Sequence, residues 1–228
     1  MLVTVIVPCF NEISTIELIL EKIAQSDLVM KQVIVVDDGS TDGTRELLVS
    51  KLQHTPFIDE LILHESNAGK GAAVITALKR AKGEAVIIQD ADLEYDPRDY
   101  SKLLNPIING EADVVFGNRF SGGEISRVLY FWHRVGNGLL TLLSNIFTNL
   151  NLADMECGYK AYRKDVLDKI TITRKGFDCE PEIVSKIAKL KPRIYQVGVS
   201  YYGRTYDDGK KITWRDGFKA IYVILKFR

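Results

Sequence analysis

The chain has 228 residues, 46% of them hydrophobic and 26% charged, with 30 basic and 30 acidic side chains, which is the composition of one ordinary globular domain. Zero net charge gives no global attraction for nucleic acid, so a polyanionic ligand has to be held by local charge. Cys9, Cys157 and Cys179 are scattered and include no C-x-x-C pair, which argues against a disulfide framework or a zinc site and fits a reducing compartment.

The opening MLVTVIVPCFNE has no basic start and soon meets Pro8 and Glu12, so a buried first strand is expected rather than a signal peptide. Further β-branched runs follow in QVIVVD, DELILH, EAVIIQD and ADVVFG, with helical segments between them at about 12–25, 41–53, 70–82 and 97–108. Strands alternating with helices predict right-handed crossovers and a largely parallel sheet, with ligands at the carboxyl ends of its strands. Beyond residue 118 the rhythm breaks. The segment VLYFWHRVGNGLLTLLSNIFTNLNL, residues 128–152, is interrupted by His133, Arg134, Gly136, Asn137 and Asn145, and no run of about 18 apolar residues predicts an unaided bilayer span. A helix at 181–190, a strand at 193–200 and a final amphipathic helix in WRDGFKAIYVILKFR complete the reading as one domain, 1–228.

Polar strings stand at the strand ends: PCFNE, DDGSTDGT, DADLE and GNR. In DDGSTDGT, Gly39 suits a positive φ, and Ser40, Thr41 or Asp42 suits a helix cap, which leaves the two acids before them unexplained. The stretch QDADLE crowds Asp90, Asp92 and Glu94 at spacings of two. Like charges so close repel and resist desolvation, so a positive partner is expected beside them. Arg119 of GNR suits phosphate, since a guanidinium can fork onto two oxygens. His54, His64 and His133 show no triad or metal spacing and read as ordinary residues. Glu180 and Glu182 flank Pro181, where a helix start favours acids on dipole grounds alone.

Taken in order, VIVPCFNE, VVDDGSTDGT, NAGKGAA, QDADLE, GNR, DMECGYKAYR, FDCEPEI and GRTYDDGKKITWRDG resemble the family 2 glycosyltransferases of the GT-A fold, in their dolichyl-phosphate mannose synthase-like branch. The resemblance implies an α/β, Rossmann-like, mostly parallel central sheet flanked by helices in a single domain. Residues 1–120 would form the nucleotide-sugar half and 121–228 the acceptor half. It implies inverting transfer of a sugar from a GDP- or UDP-sugar, assisted by Mg²⁺ or Mn²⁺, hard cations that prefer oxygen ligands. Asp92 is then the first metal ligand, Asp90 shares the metal or binds ribose, and Glu94 stands as a third ligand where some relatives carry Gln.

By the same resemblance Pro8, Phe10, Asn11 and Glu12 pack around the base and ribose, Phe10 replacing the commoner Tyr. Asp37 and Asp38 bind the nucleoside, unless Asp38 only shapes its turn. Lys70, Ala91 and Lys211 also belong to the donor site. Glu180 and Glu182 line the sugar pocket, and Asp154, next to Glu156, holds the catalytic base position of relatives with hydroxyl acceptors. The loop GRTYDDGKK, with Arg204, Lys210 and Lys211, closes over donor and acceptor phosphates.

The apolar segment 128–152 with Arg127 and Arg134, the basic loop and the last helix favour a polyprenyl phosphate acceptor and a peripheral site at the cytoplasmic membrane face. The segment reads equally as a core helix. A phosphate acceptor is largely dianionic at neutral pH and needs no general base, so Asp154 would orient it. The alternatives are transfer to a sugar hydroxyl in polysaccharide or lipid-linked oligosaccharide synthesis, and a nucleotide-sugar-binding module without turnover.

Overall fold

The computed structural model describes residues 1–28, 30–128, 130–205, 209, 211 and 213–228. Strand β1 (Val3–Cys9) is apolar on both faces because both are covered. Val3, Val5, Val7 and Cys9 join one core layer with Ile16, Ile19, Leu20 and Ile23 of α1 (Ile16–Ala24). Ile6, on the opposite face by period-two alternation, joins a second layer with Ala73, Val74 and Ala77 of α3 (Lys70–Leu78).

Strand β2 (Lys31–Asp37) pairs parallel with β1, setting Cys9 opposite Asp37. After α2 (Thr44–Ser50), β3 (Glu60–Leu63) adds outside β2. Strand β4 (Ala85–Ile88) then pairs parallel on the other side of β1. The strand order thus reverses around β1, and the carboxyl ends of β2, β1 and β4 open on one crevice, the place where such sheets bind ligands.

Helix α4 (Tyr100–Ile108) leads to β5 (Val114–Asn118), and α5 (Phe131–Thr148), β6 (Lys160–Arg163), α6 (Lys164–Leu167), α7 (Cys179–Leu190), β7 (Ile194–Gly198) and α8 (Trp214–Lys226) follow. The sheet has seven strands in the order β3-β2-β1-β4-β6-β5-β7. Strand β6 is not foreshadowed in the sequence. It runs antiparallel between β4 and β5, with Tyr162 opposite both Val86 and Val114. A strand that reverses between them leaves β5 running the same way as β4, so Asn118 and Arg119 still finish at the crevice edge.

Helices α1 and α2 start later than their periodicity predicts. Helix α1 starts at Ile16 because the preceding loop is held elsewhere, the Glu12 N–H donating to Thr44 Oγ1 at 2.9 Å. Helix α2 starts after Gly43, and only Asp42 of the three candidate caps serves it, accepting the Thr44 N–H at 3.0 Å. Ser40 accepts the Asn11 N–H and the Thr41 N–H donates to Asn11 Oδ1, so Ser40 and Thr41 tie the β1 and β2 loops together.

The segment read as either core or membrane helix is buried on one side and exposed on the other. Helix α5 buries Thr141 and Ser144 but leaves Trp132, Leu139 and Ile146 at 76%, 62% and 65% exposure. Helix α8 packs on α5 and α7 and exposes Trp214 and Phe218 at 71% and 67%. Among the described residues no helix is long and apolar enough to cross a membrane.

Candidate active site

A cavity of about 700 Å³ opens at the carboxyl ends of β1, β2 and β4. It is walled by Pro8, Phe10, Glu12, Asp38, Lys70, Asp90, Ala91, Asp92, Glu94, Arg204 and Lys211, and also by Trp132, Leu139, Leu140, Trp214, Phe218 and Ile221 of α5 and α8. Expected donor-site residues thus gather in one place. Asn11 and Asp37 are not among the lining residues.

The positive partners that the crowded carboxylates require are supplied by distant parts of the chain. Lys70, at the first turn of α3, lies with Nζ 2.6 Å from Asp90 Oδ1. Arg204 Nη2 donates to Asp92 Oδ2 at 2.8 Å, and Nη1 and Nη2 donate to Glu12 Oε2 and Oε1 at 3.1 Å each. Lys211 Nζ donates to Glu12 Oε1 at 2.6 Å and to the Phe10 carbonyl. Lys210 lies outside the described residues. Burial, then Asp90 and Glu94, push Asp92 up to about 7 against the pull of Arg204. Burial opposes the charge on Lys70, yet Asp90 and Glu180 keep its pKa above the ordinary lysine value.

Glu94, expected as a third metal ligand, lines the cavity beside Asp90 and Asp92 and has protein partners there. Its Oε1 accepts the Arg204 N–H at 2.7 Å and its Oε2 the Tyr201 hydroxyl at 3.3 Å, so both oxygens order the 201–204 segment. Among the described residues no three His, Cys, Asp or Glu side chains stand together as a complete metal cage. Two neighbouring carboxylates with only oxygen donors still fit Mg²⁺ or Mn²⁺, because such ions are commonly held by one or two carboxylates plus substrate phosphates.

Asp37, expected at the nucleoside, does not line the cavity. It is fully buried, accepts Arg45 Nε at 2.7 Å, and leaves Oδ1 buried without a hydrogen bond. Asp38 reaches the cavity wall, but its carboxylate accepts from the Ala68 N–H at 3.0 Å, the Gly69 N–H at 2.7 Å and His64 Nδ1 at 2.7 Å. It therefore builds the loop that starts α3 and positions Lys70. Gly69 is required there: its φ is +99°, and a Cβ would lie 2.4 Å from the Lys175 carbonyl oxygen. His64 proves to be a structural link between Asp38 and Thr76.

Arg119 does not present an open fork to phosphate. Its Nε and backbone N–H donate to Asp154 Oδ2 at 2.7 and 3.1 Å, and Nη2 donates to Asp154 Oδ1 at 2.7 Å. Asp154 is fully buried, so it cannot act as a base from where it stands. The carboxyl that does line the cavity is Glu156, whose Oε1 is buried without a hydrogen bond. Burial pushes Glu156 up to about 7 against Lys160 and Arg119.

The two acids of α7 separate. Glu180 lines the cavity, with Oε2 accepting Lys160 Nζ at 2.7 Å and Oε1 3.5 Å from Lys70 Nζ. Glu182 is fully buried and accepts from the Thr173 and Arg174 backbone N–H groups and Lys186, so it anchors the 173–174 loop and does not line the cavity. Lys160, completely buried in β6, escaped sequence reading because a lone lysine in YKAYR looks like a surface residue. Gly158 also went unnoticed, and a Cβ there would meet Asp90 Oδ2 at 3.0 Å and Lys70 Nζ at 3.4 Å. His133 and Trp132 reach the cavity from α5, with no signal in their spacing.

A family model described as Glycosyl transferase family 2 matches residues 4–171. The chain belongs to this family. Among similar proteins, Glycosyltransferase AglJ of Haloferax volcanii is 31% identical over 206 residues, covering 89% of this chain and 63% of that protein. An undecaprenyl-phosphate mannosyltransferase of Micrococcus luteus is 30% identical over 223 residues, 92% of this chain and 87% of that one. The chain spans 52% of a second Haloferax volcanii relative, the hexosyltransferase Agl6, so it matches only about half to two thirds of the length of these two. The crystal structure of glucosyl-3-phosphoglycerate synthase from Mycobacterium tuberculosis, in complex with Mn²⁺, UDP and glucosyl-3-phosphoglycerate, superposes with a TM-score of 0.76, covering 99% of this chain and 79% of that one. At 20% identity this likeness is one of fold, and it matches the GT-A architecture expected from the sequence.

Proposed function

We propose that this family 2 protein transfers a sugar, with inversion, from a nucleotide diphosphate donor to a polyprenyl phosphate at a membrane surface. The observation that carries the reading is the continuity of one cavity, from the carboxylates and cations at the sheet edge to the apolar walls of α5 and α8. A polyprenyl phosphate has the same two chemistries in the same order.

In this reading residues 1–120 supply most of the nucleotide site and 121–228 most of the acceptor site. Pro8 and Phe10 flank the nucleoside, and Asp90 and Asp92 hold Mg²⁺ or Mn²⁺, which when bound neutralises charge on the leaving diphosphate. Lys70, Arg204 and Lys211 lie within reach of the same phosphates. Glu180 and Gly158 border the sugar, and Arg119, through Asp154, braces the wall that carries Glu156. The exposed apolar face of α5 and α8 rests on the lipid, consistent with peripheral attachment. The names of relatives support the acceptor class: they include the undecaprenyl-phosphate mannosyltransferase of Micrococcus luteus and a dolichol-phosphate mannosyltransferase of Pyrococcus furiosus.

One observation favours a sugar hydroxyl acceptor instead. Glu156, held near 7 at the cavity wall, has the pKa suited to a general base at neutral pH. A screen of GDP- and UDP-sugars with a short-chain polyprenyl phosphate, in Mn²⁺ and in EDTA, tests the proposal. Nucleoside diphosphate release that needs both metal and lipid phosphate supports it, and full activity in EDTA rejects the metal.

A further inference from the structure

Asp90 and Asp92 each already carry a cation from the chain, Lys70 at 2.6 Å and Arg204 at 2.8 Å. A divalent ion placed on these carboxylates meets two positive charges at ion-pair distance, and that repulsion opposes binding of the metal alone. Each cation also has a second carboxylate beside it. For Arg204 it is Glu12, at 3.1 Å, already bonded. For Lys70 it is Glu180 Oε1, 3.5 Å away, buried and without a hydrogen bond. Neither cation needs to leave the site when it gives up its aspartate.

We infer that Lys70 and Arg204 are exchangeable counter-ions that couple metal binding to nucleotide binding. Resting on Asp90 and Asp92, they hold off the metal until a nucleoside diphosphate arrives. The diphosphate brings oxygens that accept both cations, freeing the carboxylates for the ion. Linkage makes the effect reciprocal: nucleotide strengthens metal binding by the factor by which metal strengthens nucleotide binding. The inference rests on the proposed metal role of Asp90 and Asp92.

The two variants differ from ordinary loss of a ligand in sign. Arg204→Gln and Lys70→Gln should bind free Mn²⁺ more tightly than wild type, by about 3- to 5-fold, the size of one partly exposed ion pair. Each should also bind UDP or GDP more weakly and show a smaller nucleotide-induced gain in Mn²⁺ affinity. Electron paramagnetic resonance titration of Mn²⁺, with and without saturating UDP or GDP, reads the metal affinities, and calorimetric titration of UDP or GDP without metal reads the nucleotide affinities, both without turnover. Circular dichroism melts confirm that each variant is folded. Unchanged or weaker Mn²⁺ binding by both folded variants overturns the counter-ion role while leaving the metal site standing. No Mn²⁺ binding by wild type, with or without either nucleotide, overturns the metal reading and this inference with it.

Discussion

Arg119 closes both arms of its guanidinium on Asp154, Nε to Oδ2 and Nη2 to Oδ1, each at 2.7 Å, with Asp154 fully buried. A fork so engaged is a brace between the end of β5 and the 154–158 segment. Removing one partner strands a buried charge, at a cost of about 3–5 kcal/mol. Asp154→Ala is therefore expected to lower the melting temperature by roughly 10 °C, given about 2–4 °C per kcal/mol for a chain of this size. If Asp154→Ala melts like wild type yet loses all turnover, Asp154 is a chemical group and the brace is secondary.

Glu156 sets a pH dependence of stability. Its folded pKa, about 7, lies above the ordinary 4.5, so between these values the folded protein holds a proton that the unfolded chain releases. Its stabilising contribution is complete below about pH 4.5 and is lost as pH rises to 7, by at most about 3 kcal/mol and less in proportion to its partial exposure. Glu156→Gln removes the titration. Melting curves at pH 5 and pH 8 should show the variant gaining on wild type at the higher pH, and a constant gap would contradict the raised pKa.

Gly158 leaves no room above the Asp90 and Lys70 pair, since a Cβ would stand 3.0 Å from Asp90 Oδ2. Gly158→Ala should displace that carboxylate by a few tenths of an ångström and lower kcat by on the order of 10-fold through misplacement alone. The melting temperature should barely move. Steady-state kinetics beside a thermal melt check the pair of outcomes, and wild-type kcat would show that Asp90 tolerates the shift.

The apolar face of α5 and α8 is expected to dock on lipid. Trp132→Ser combined with Phe218→Ser, at side chains 76% and 67% exposed, should abolish co-sedimentation with anionic vesicles. Slow hydrolysis of the nucleotide-sugar donor in water should persist. Wild-type vesicle binding by the double variant would place the membrane contact elsewhere.

The sheet was largely legible because β1, β2 and β4 are buried on both sides and so read as unbroken β-branched runs. Strand β6 was not, because four residues with Lys160 and Arg163 at its ends carry no apolar pattern. Lys160 is paired in the sheet with Glu180, twenty positions away, and such pairing is invisible along the chain. The carboxylate cluster at 90–94 announced that a cation was needed but did not reveal which one. Lys70 and Arg204 come from α3 and from the loop before α8. For Asp37, Glu94 and Asp154 the motifs gave position alone, and only the fold shows their partners, Arg45, Tyr201 with the Arg204 N–H, and Arg119.

The most direct test is to offer the protein an active nucleotide-sugar donor together with a short-chain polyprenyl phosphate or a panel of sugar acceptors, and to resolve product anomers by nuclear magnetic resonance. The account predicts a polyprenyl-phosphate sugar of anomeric configuration opposite to the donor's, formed in Mn²⁺ and lost with Asp92→Ala by on the order of 10²–10³ in kcat. Transfer only to sugar hydroxyls, or retention of the donor's configuration, would contradict it.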